Sequence, residues 1–321
     1  MVEKFPNTLS PGKVVWLLPL LLPPALPADT PPALAAPAGQ AAAAAPGKLF
    51  RPPPETDEPL PETARVELAT LAARQKNLLA QAAAATSTAA TDDLRPAFQS
   101  LCDDYERLIR KHPRNAALLV AFAQLLNSPA LDERHRAAGL LARADALDPA
   151  IPLVKNQLGN YLAEEGDPAA AVRFYLDAIA LAPGEPLYHL QLALLISAAR
   201  DDLLKTGAWS RRNLDETFLN AHERAAALRP DDPAIAYRRA LAFYDVEHPD
   251  WDKALALWRA LETRLEKTSR QHQIVRRHIA KVLLNRAAPG DAPAARETLS
   301  SITAPELAPK KQELLQTCPT K

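Results

Sequence analysis

The side chains that could do chemistry are few and scattered. Of seven histidines, His272 and His278 lie closest, but a six-residue spacing does not put two ligands on one helical face. Asp245, Glu247, Asp250 and Asp252 crowd one turn. They lack the spacing and central glycine of a calcium loop, and Asp250 reads as a helix N-cap. Lys267, Arg270, Arg276, Arg277, Lys281 and Arg286 form a basic run with no acid between them. Such a run faces an acidic partner or is simply a solvated helix face. With no interleaved aromatic residue it has nothing on which bases would stack. Trp209 stands beside Arg211 and Arg212, residue types favoured at binding hot spots. The alternative is a ring folded back on its own helices. A Gly-rich phosphate loop, H-E-x-x-H, G-x-S-x-G and C-x-x-C are all absent, and only nine glycines are present. The sequence therefore predicts no catalytic residue, no metal site and no cofactor.

The elements that would position these residues are helices. Hydrophobic residues make up 48% of the chain but aromatics only 5%, with Ala and Leu supplying most of the apolar content. Both are strong helix formers, whereas a sheet sandwich would be enriched in β-branched and aromatic residues. Lys+Arg and Asp+Glu both number 38, so the net charge is zero, which argues against a general nucleic-acid binder. Cys102 and Cys318 lie near opposite ends of the predicted folded region. Two cysteines so placed read as unpaired thiols and cannot make a four-thiolate zinc site.

The first sixty or so residues differ from the rest. Fifteen of the 31 prolines fall between Pro6 and Pro61. Lys4 and Lys13 precede the apolar run Val14–Leu22, which is too short to span a bilayer but fits the h-region of an export signal. Leu26-Pro27-Ala28 offers a small-residue cleavage site. Residues 1–28 thus read as a signal peptide, or as an uncleaved anchor, which would be the only contact with a membrane. Residues 29–62, rich in Pro and Ala, read as a disordered linker. An exported protein, periplasmic or secreted, is expected; the alternatives are a membrane-anchored or a cytoplasmic one.

From Thr63 onward apolar residues recur at three- and four-residue spacing, and prolines fall at the joints: Pro113, Pro149, Pro183 and Pro230. The first two intervals are close to a period of about 34 residues. Leu158-Gly159 and Leu162 fall in a first helix, Gly166-Asp167-Pro168 in a turn, Ala171, Tyr175 and Ala178 in a second helix, and Pro183 at its end. On these residues the chain resembles the tetratricopeptide repeat family, with its best repeat at 152–185. Lys155 stands where the family has Trp. Weaker copies flank this unit. Before it lie Leu101, Tyr105 and Leu108, then Phe122-Ala123, Leu126, Ala137, Leu141 and Ala144. After it lie Leu192-Ala193, Ile196 and Ala225; Ala240, Phe243, Ala254, Trp258 and Leu261; and Ile279-Ala280, Leu283, Ala295, Leu299 and Ile302. An insertion of about 13 residues relative to the family period holds Trp209.

The resemblance implies an all-α, right-handed solenoid of five or six helix pairs over residues 63–321. It implies that first helices line a concave groove, which points to Gln124, Asn156, Asn160, Gln191, Leu194, Arg238 and Leu241 as partner-binding residues. The lysines expected of a carboxylate clamp do not accompany Asn160. The implied function is a non-catalytic adaptor for another protein or an extended peptide, and not for nucleic acid. A self-associating structural spacer, or an envelope enzyme supported by repeats, are the alternatives. If residues 1–28 are an export signal, N-terminal sequencing of the natural protein finds a chain starting near Asp29; a retained Met1 on a soluble cytoplasmic chain rejects the signal.

Overall fold

A computed structural model describes residues 56–87 and 92–319. The export signal and most of the Pro/Ala-rich segment lie outside them. The described residues contain fourteen α-helices, two 3-10 turns and no strand. The helices are α1 (Glu62–Ala84), α2 (Arg95–Lys111), α3 (Ala116–Leu126), α4 (Arg134–Leu147), α5 (Pro152–Glu164), α6 (Pro168–Leu181) and α7 (Pro186–Ala198). They continue with α8 (Arg200–Lys205), α9 (Arg211–Leu228), α10 (Pro233–Leu241), α11 (Trp251–Thr263), α12 (Arg270–Arg286), α13 (Asp291–Ser300) and α14 (Ala308–Thr317).

The starts of these helices follow from local chemistry. Asn115, Asp167, Ser210, Asp232, Asp250 and Ser269 each accept a hydrogen bond from a backbone N–H of the first turn that would otherwise have no partner. Prolines open α5, α6, α7 and α10, where a missing N–H costs nothing. Gly166, at φ +83°, supplies the left-handed step between α5 and α6.

The helices pack in sequential pairs: α1 with α2, α3 with α4, α5 with α6, α7 with α9, α10 with α11, and α12 with α13, with α14 closing the end against the last pair. Each pair hides its apolar face only when stacked on its neighbours. The expected repeat positions are where the core is. Tyr105, Leu126, Ala144, Ala171, Tyr175, Ile196, Ala240, Trp258, Ala280 and Leu299 are all fully buried.

Polar bonds across the stack repeat the same spacing. Second helices are tied to one another by Arg136–Glu106 and Lys253–Glu223, each pair 30 residues apart. Arg143 Nη2 donates to the Pro113 carbonyl across 30 residues, and Arg264 Nη1 to the Pro230 carbonyl across 34. In both cases an arginine of one unit covers the carbonyl left at the joint of the unit before. The approach to α1 is also fixed: Ala116 N donates to Asp57 Oδ1 (2.7 Å) and Glu58 N to the Arg114 carbonyl (2.8 Å). These two acids thus strap residues 57–58 across the start of α3.

The insertion expected as a loop holds a short helix, α8. Asp215 anchors it: this buried carboxylate accepts from Arg200 of α8, from Arg211 Nε (3.0 and 3.1 Å) and from Glu247 N (2.9 Å). Without such convergent donors a buried carboxylate would be costly.

The tightest crossing is between α5 and α6. A Cβ on Gly159 would lie 2.8 Å from two carbons of the Tyr175 ring, which is fully buried. The Tyr175 hydroxyl donates to Asn160 Oδ1 at 2.7 Å. Gly159→Leu is therefore expected to destabilise by about 3 kcal/mol through overpacking, and Tyr175→Ala by about 3–5 kcal/mol through the cavity it leaves. Urea melts read both, and a wild-type midpoint for either variant contradicts the crossing.

Candidate functional site

First helices of neighbouring pairs stand side by side, as the bonds between them show. Asn127 Nδ2 donates to Gln157 Oε1 (3.1 Å) between α3 and α5, and Gln191 Nε2 donates to Asn160 Oδ1 (3.0 Å) between α7 and α5. The Tyr237 hydroxyl meets His278 Nε2 at 3.0 Å between α10 and α12. The candidate site is the face these helices form together.

The structure sorts the expected groove residues into two sets. Asn156, Asn160 and Gln191 are buried and bound to one another: Asn156 Nδ2 donates to Gln191 Oε1, and Asn160 Oδ1 accepts from both Gln191 and Tyr175. Amides so placed must satisfy each other, because an unpaired buried amide costs about 1–3 kcal/mol. Asn156 Nδ2, Asn160 Oδ1 and both polar atoms of Gln191 are taken up by these bonds between α5, α6 and α7. Gln124, Leu194 and Leu241 are half-buried and Arg238 is exposed, so these four reach the surface.

The loop residues also divide. Trp209 is half-buried against the cluster that contains Leu203, Phe218 and Val246, the folded-back placement. Arg211 is occupied by Asp215 and by the Asp245 carbonyl (3.1 Å), and exposed Arg212 pairs with Glu216 at 3.0 Å. Both arginines hold the start of α9. Asp250 caps α11, as the sequence suggested, accepting from Lys253 N at 2.9 Å.

Sequence inspection missed the cluster around His278. The imidazole stacks on the Trp258 indole, with centroids 4.3 Å apart and planes 3° apart. Tyr237 lies edge-on to both rings. Arg277 Nη2 approaches His278 Nε2 at 3.3 Å. A guanidinium only donates, so Nε2 accepts and the ring proton sits on Nδ1. That proton points to the Tyr244 hydroxyl at 3.4 Å, and Tyr244 in turn donates to the His278 carbonyl at 3.3 Å. Burial, followed by the charges of Arg277, Lys281 and Lys310, lowers the His278 pKa to about 3. The Tyr244–His278 interval of 34 residues equals the repeat period, the one signal in the sequence that pairs these positions.

No group of three or more His, Cys, Asp or Glu among the described residues could hold a metal ion. Cys102 and Cys318 are both unpaired and buried, and burial, with nearby carboxylates, raises the Cys102 thiol to about 11. No helix among the described residues is long and apolar enough to cross a membrane.

Comparison of the sequence with family models and with curated proteins yields no match. Solved structures match by fold. The Naa15/Naa10 complex bound to HypK-THB superposes with a TM-score of 0.50 at 17% identity, covering 75% of this chain and 33% of that one. YrrB, a TPR protein with an unusual peptide-binding site, gives 0.49 at 16% identity, covering 66% of this chain and 96% of that one. The pilF protein of Pseudomonas aeruginosa gives 0.47 at 16% identity, covering 78% and 99%. The described residues themselves carry the tetratricopeptide-like fold, an all-α stack of sequential helix pairs.

Three buried histidines, His189, His222 and His278, each lowered in pKa first of all by burial, give stability a pH dependence. Burial lowers His278 to about 3 and His222, which also feels Arg238, to about 4. An unfolded histidine titrates near 6.5, so between that value and the folded pKa the unfolded chain binds more protons. Stability is then complete above about pH 6.5 and falls as the pH drops, by up to about 1.4 kcal/mol per pH unit for each histidine. Urea melts between pH 7.5 and 5 should show this slope, and His222→Leu should lessen it. A flat profile contradicts the neutral, buried assignment.

Proposed function

We propose that this protein is a non-catalytic scaffold that binds another protein, or an extended segment of one, along the face made by α3, α5, α7, α10 and α12. The observation that carries the reading is the continuity of that face. First helices bond to each other at the α3–α5, α5–α7 and α10–α12 boundaries, and across α7–α10 Leu190 packs on the apolar cluster that holds Ile235. A ligand lying across them meets Gln124 of α3, passes over α5, and then meets Leu194 of α7 and Arg238 and Leu241 of α10. A stacked array offers such a surface because it is extended in one dimension, which suits an extended partner. Asn156, Asn160 and Gln191 serve it from beneath, by fixing the spacing between α5 and α7. Trp209, Arg211 and Arg212 serve it by holding the inserted α8 in place.

Export through residues 1–28 belongs to the same reading, with the Pro/Ala-rich residues 29–62 as the linker between the signal and the stack. The partner would then be a protein of the cell envelope or exterior.

The test is crosslinking capture by the full chain from its native extract, comparing wild type with a Gln124→Ala, Leu194→Ser and Arg238→Ala variant. The helical signal should be unchanged, since all three side chains reach the surface, while a specific captured protein is lost. An unchanged set of captured proteins would move binding away from this face. A catalytic activity of the purified protein would overturn the scaffold reading itself.

A further inference from the structure

The basic run of α12 is not uniform. Arg270 pairs with Glu306 (3.0 Å), Arg276 with Glu262 (3.2 Å), and Arg286 with Asp252 (2.7 Å) and Asp291 (2.6 Å). Arg277 and Lys281, on the same helix, have no carboxylate within ion-pair distance among the described residues, and neither does Lys310 of α14. Arg277 and Lys281 are four residues apart on one helical face, an arrangement of like charges that costs an isolated helix a few tenths of a kcal/mol.

Neutral groups hold two of these cations, Arg277 and Lys281, in place. Arg277 is fixed by the lone pair of His278 Nε2. The Lys281 ammonium sits 4.5 Å from the centroid of the Tyr244 ring, within cation–π range. Neither contact cancels charge. All three cations act on the His278 imidazole and help keep it neutral. Asp245 feels Lys281 without pairing with it, and crowding of its carboxyl by surrounding protein raises its pKa. Lys281 and Lys310 are exposed and Arg277 is half-exposed.

We propose that Arg277, Lys281 and Lys310, set on the Tyr237–Tyr244–His278 cluster, form the subsite of the first-helix face that receives an Asp/Glu-rich extended segment of the partner protein. This deepens the scaffold reading and rests on it. Charge complementarity selects the occupant. Two cations that the fold holds without neutralising, Arg277 and Lys281, together with exposed Lys310, whose charge acts on the same imidazole, match carboxylates spaced along a peptide. The α12 cations that point elsewhere are already matched by carboxylates of the chain.

The test is fluorescence anisotropy of a fluorescein-labelled Glu/Ala alternating peptide, with the matched Gln/Ala peptide as control and the full chain as receptor. The Glu peptide should bind and the Gln peptide should not, with affinity falling as salt rises. Arg277→Gln with Lys281→Gln should weaken binding at least about tenfold, and Lys310→Gln, at an exposed position, should weaken it without touching the core. Arg276→Gln, already matched to Glu262, should change it less than about twofold. Circular dichroism checks that each variant is folded. Equal binding of the Gln peptide, or no loss in folded Arg277/Lys281 or Lys310 variants, overturns the proposal. So does binding to phosphatidylserine vesicles in place of the Glu peptide, which would assign the subsite to a membrane surface. A chain that captures a protein partner through its first-helix face but ignores the Glu peptide refutes this subsite and leaves the scaffold reading standing.

Discussion

The stack depends on small residues meeting large ones where helices cross. Gly159 gives up its Cβ so that the Tyr175 ring can lie against α5, and Ala171, fully buried on α6, lets the two helices close. If that crossing opened, Asn160 would lose the Tyr175 hydroxyl, and the amide bonds that set the α5–α7 distance would lose their anchor. The same principle recurs at other units, with Ala137, Ala144, Ala240, Ala254 and Ala280 buried to within 1% exposure where neighbouring helices meet. An Ala-rich composition is in this sense a packing instruction, because small side chains let helix axes approach and leave larger rings to fill the gaps.

The polar scaffold follows from the packed one. Once pairs stack at a fixed interval, side chains 30 or 34 residues apart become neighbours. The chain uses that interval for Arg136–Glu106, Lys253–Glu223 and the two arginines that cover proline carbonyls at the joints. It departs from the interval at the insertion, where α8 is added and Asp215 gathers Arg200, Arg211 and the 247 amide to bring the path back into register. The cluster at His278 belongs to the later units, where Trp258 and two tyrosines surround an imidazole, whereas the first units pack Phe98, Tyr105 and Phe122 among aliphatic side chains.

Much of the fold was legible because periodicity and core position are the same information. Leu192, Ala193, Ile196, Ala254 and Trp258 fall on core positions of the repeat that the chain resembles, and each is buried. The turn at Gly166-Asp167-Pro168 was readable because each residue has one conformational task there. Site residues were less legible. Whether an amide on a first helix faces out or sideways depends on the rotation of that helix against its neighbour. Asn160 is bound beneath the surface, whereas Leu194 and Arg238 reach it. Likewise the basic run of α12 looks uniform in sequence, and only its carboxylate partners on other helices divide it into matched and unmatched charges. Such pairings are set by tertiary contacts, which local spacing does not encode.

The central claim is that first helices, and not second helices, meet the partner. Hydrogen–deuterium exchange of the full chain, alone and with its crosslink-identified partner, tests this directly because it reports protection amide by amide. The account predicts that binding slows exchange in α3, α5, α7, α10 and α12 while α2, α4, α6, α9, α11 and α13 exchange as in the free protein. Protection confined to the second helices, or spread equally over both, would contradict it.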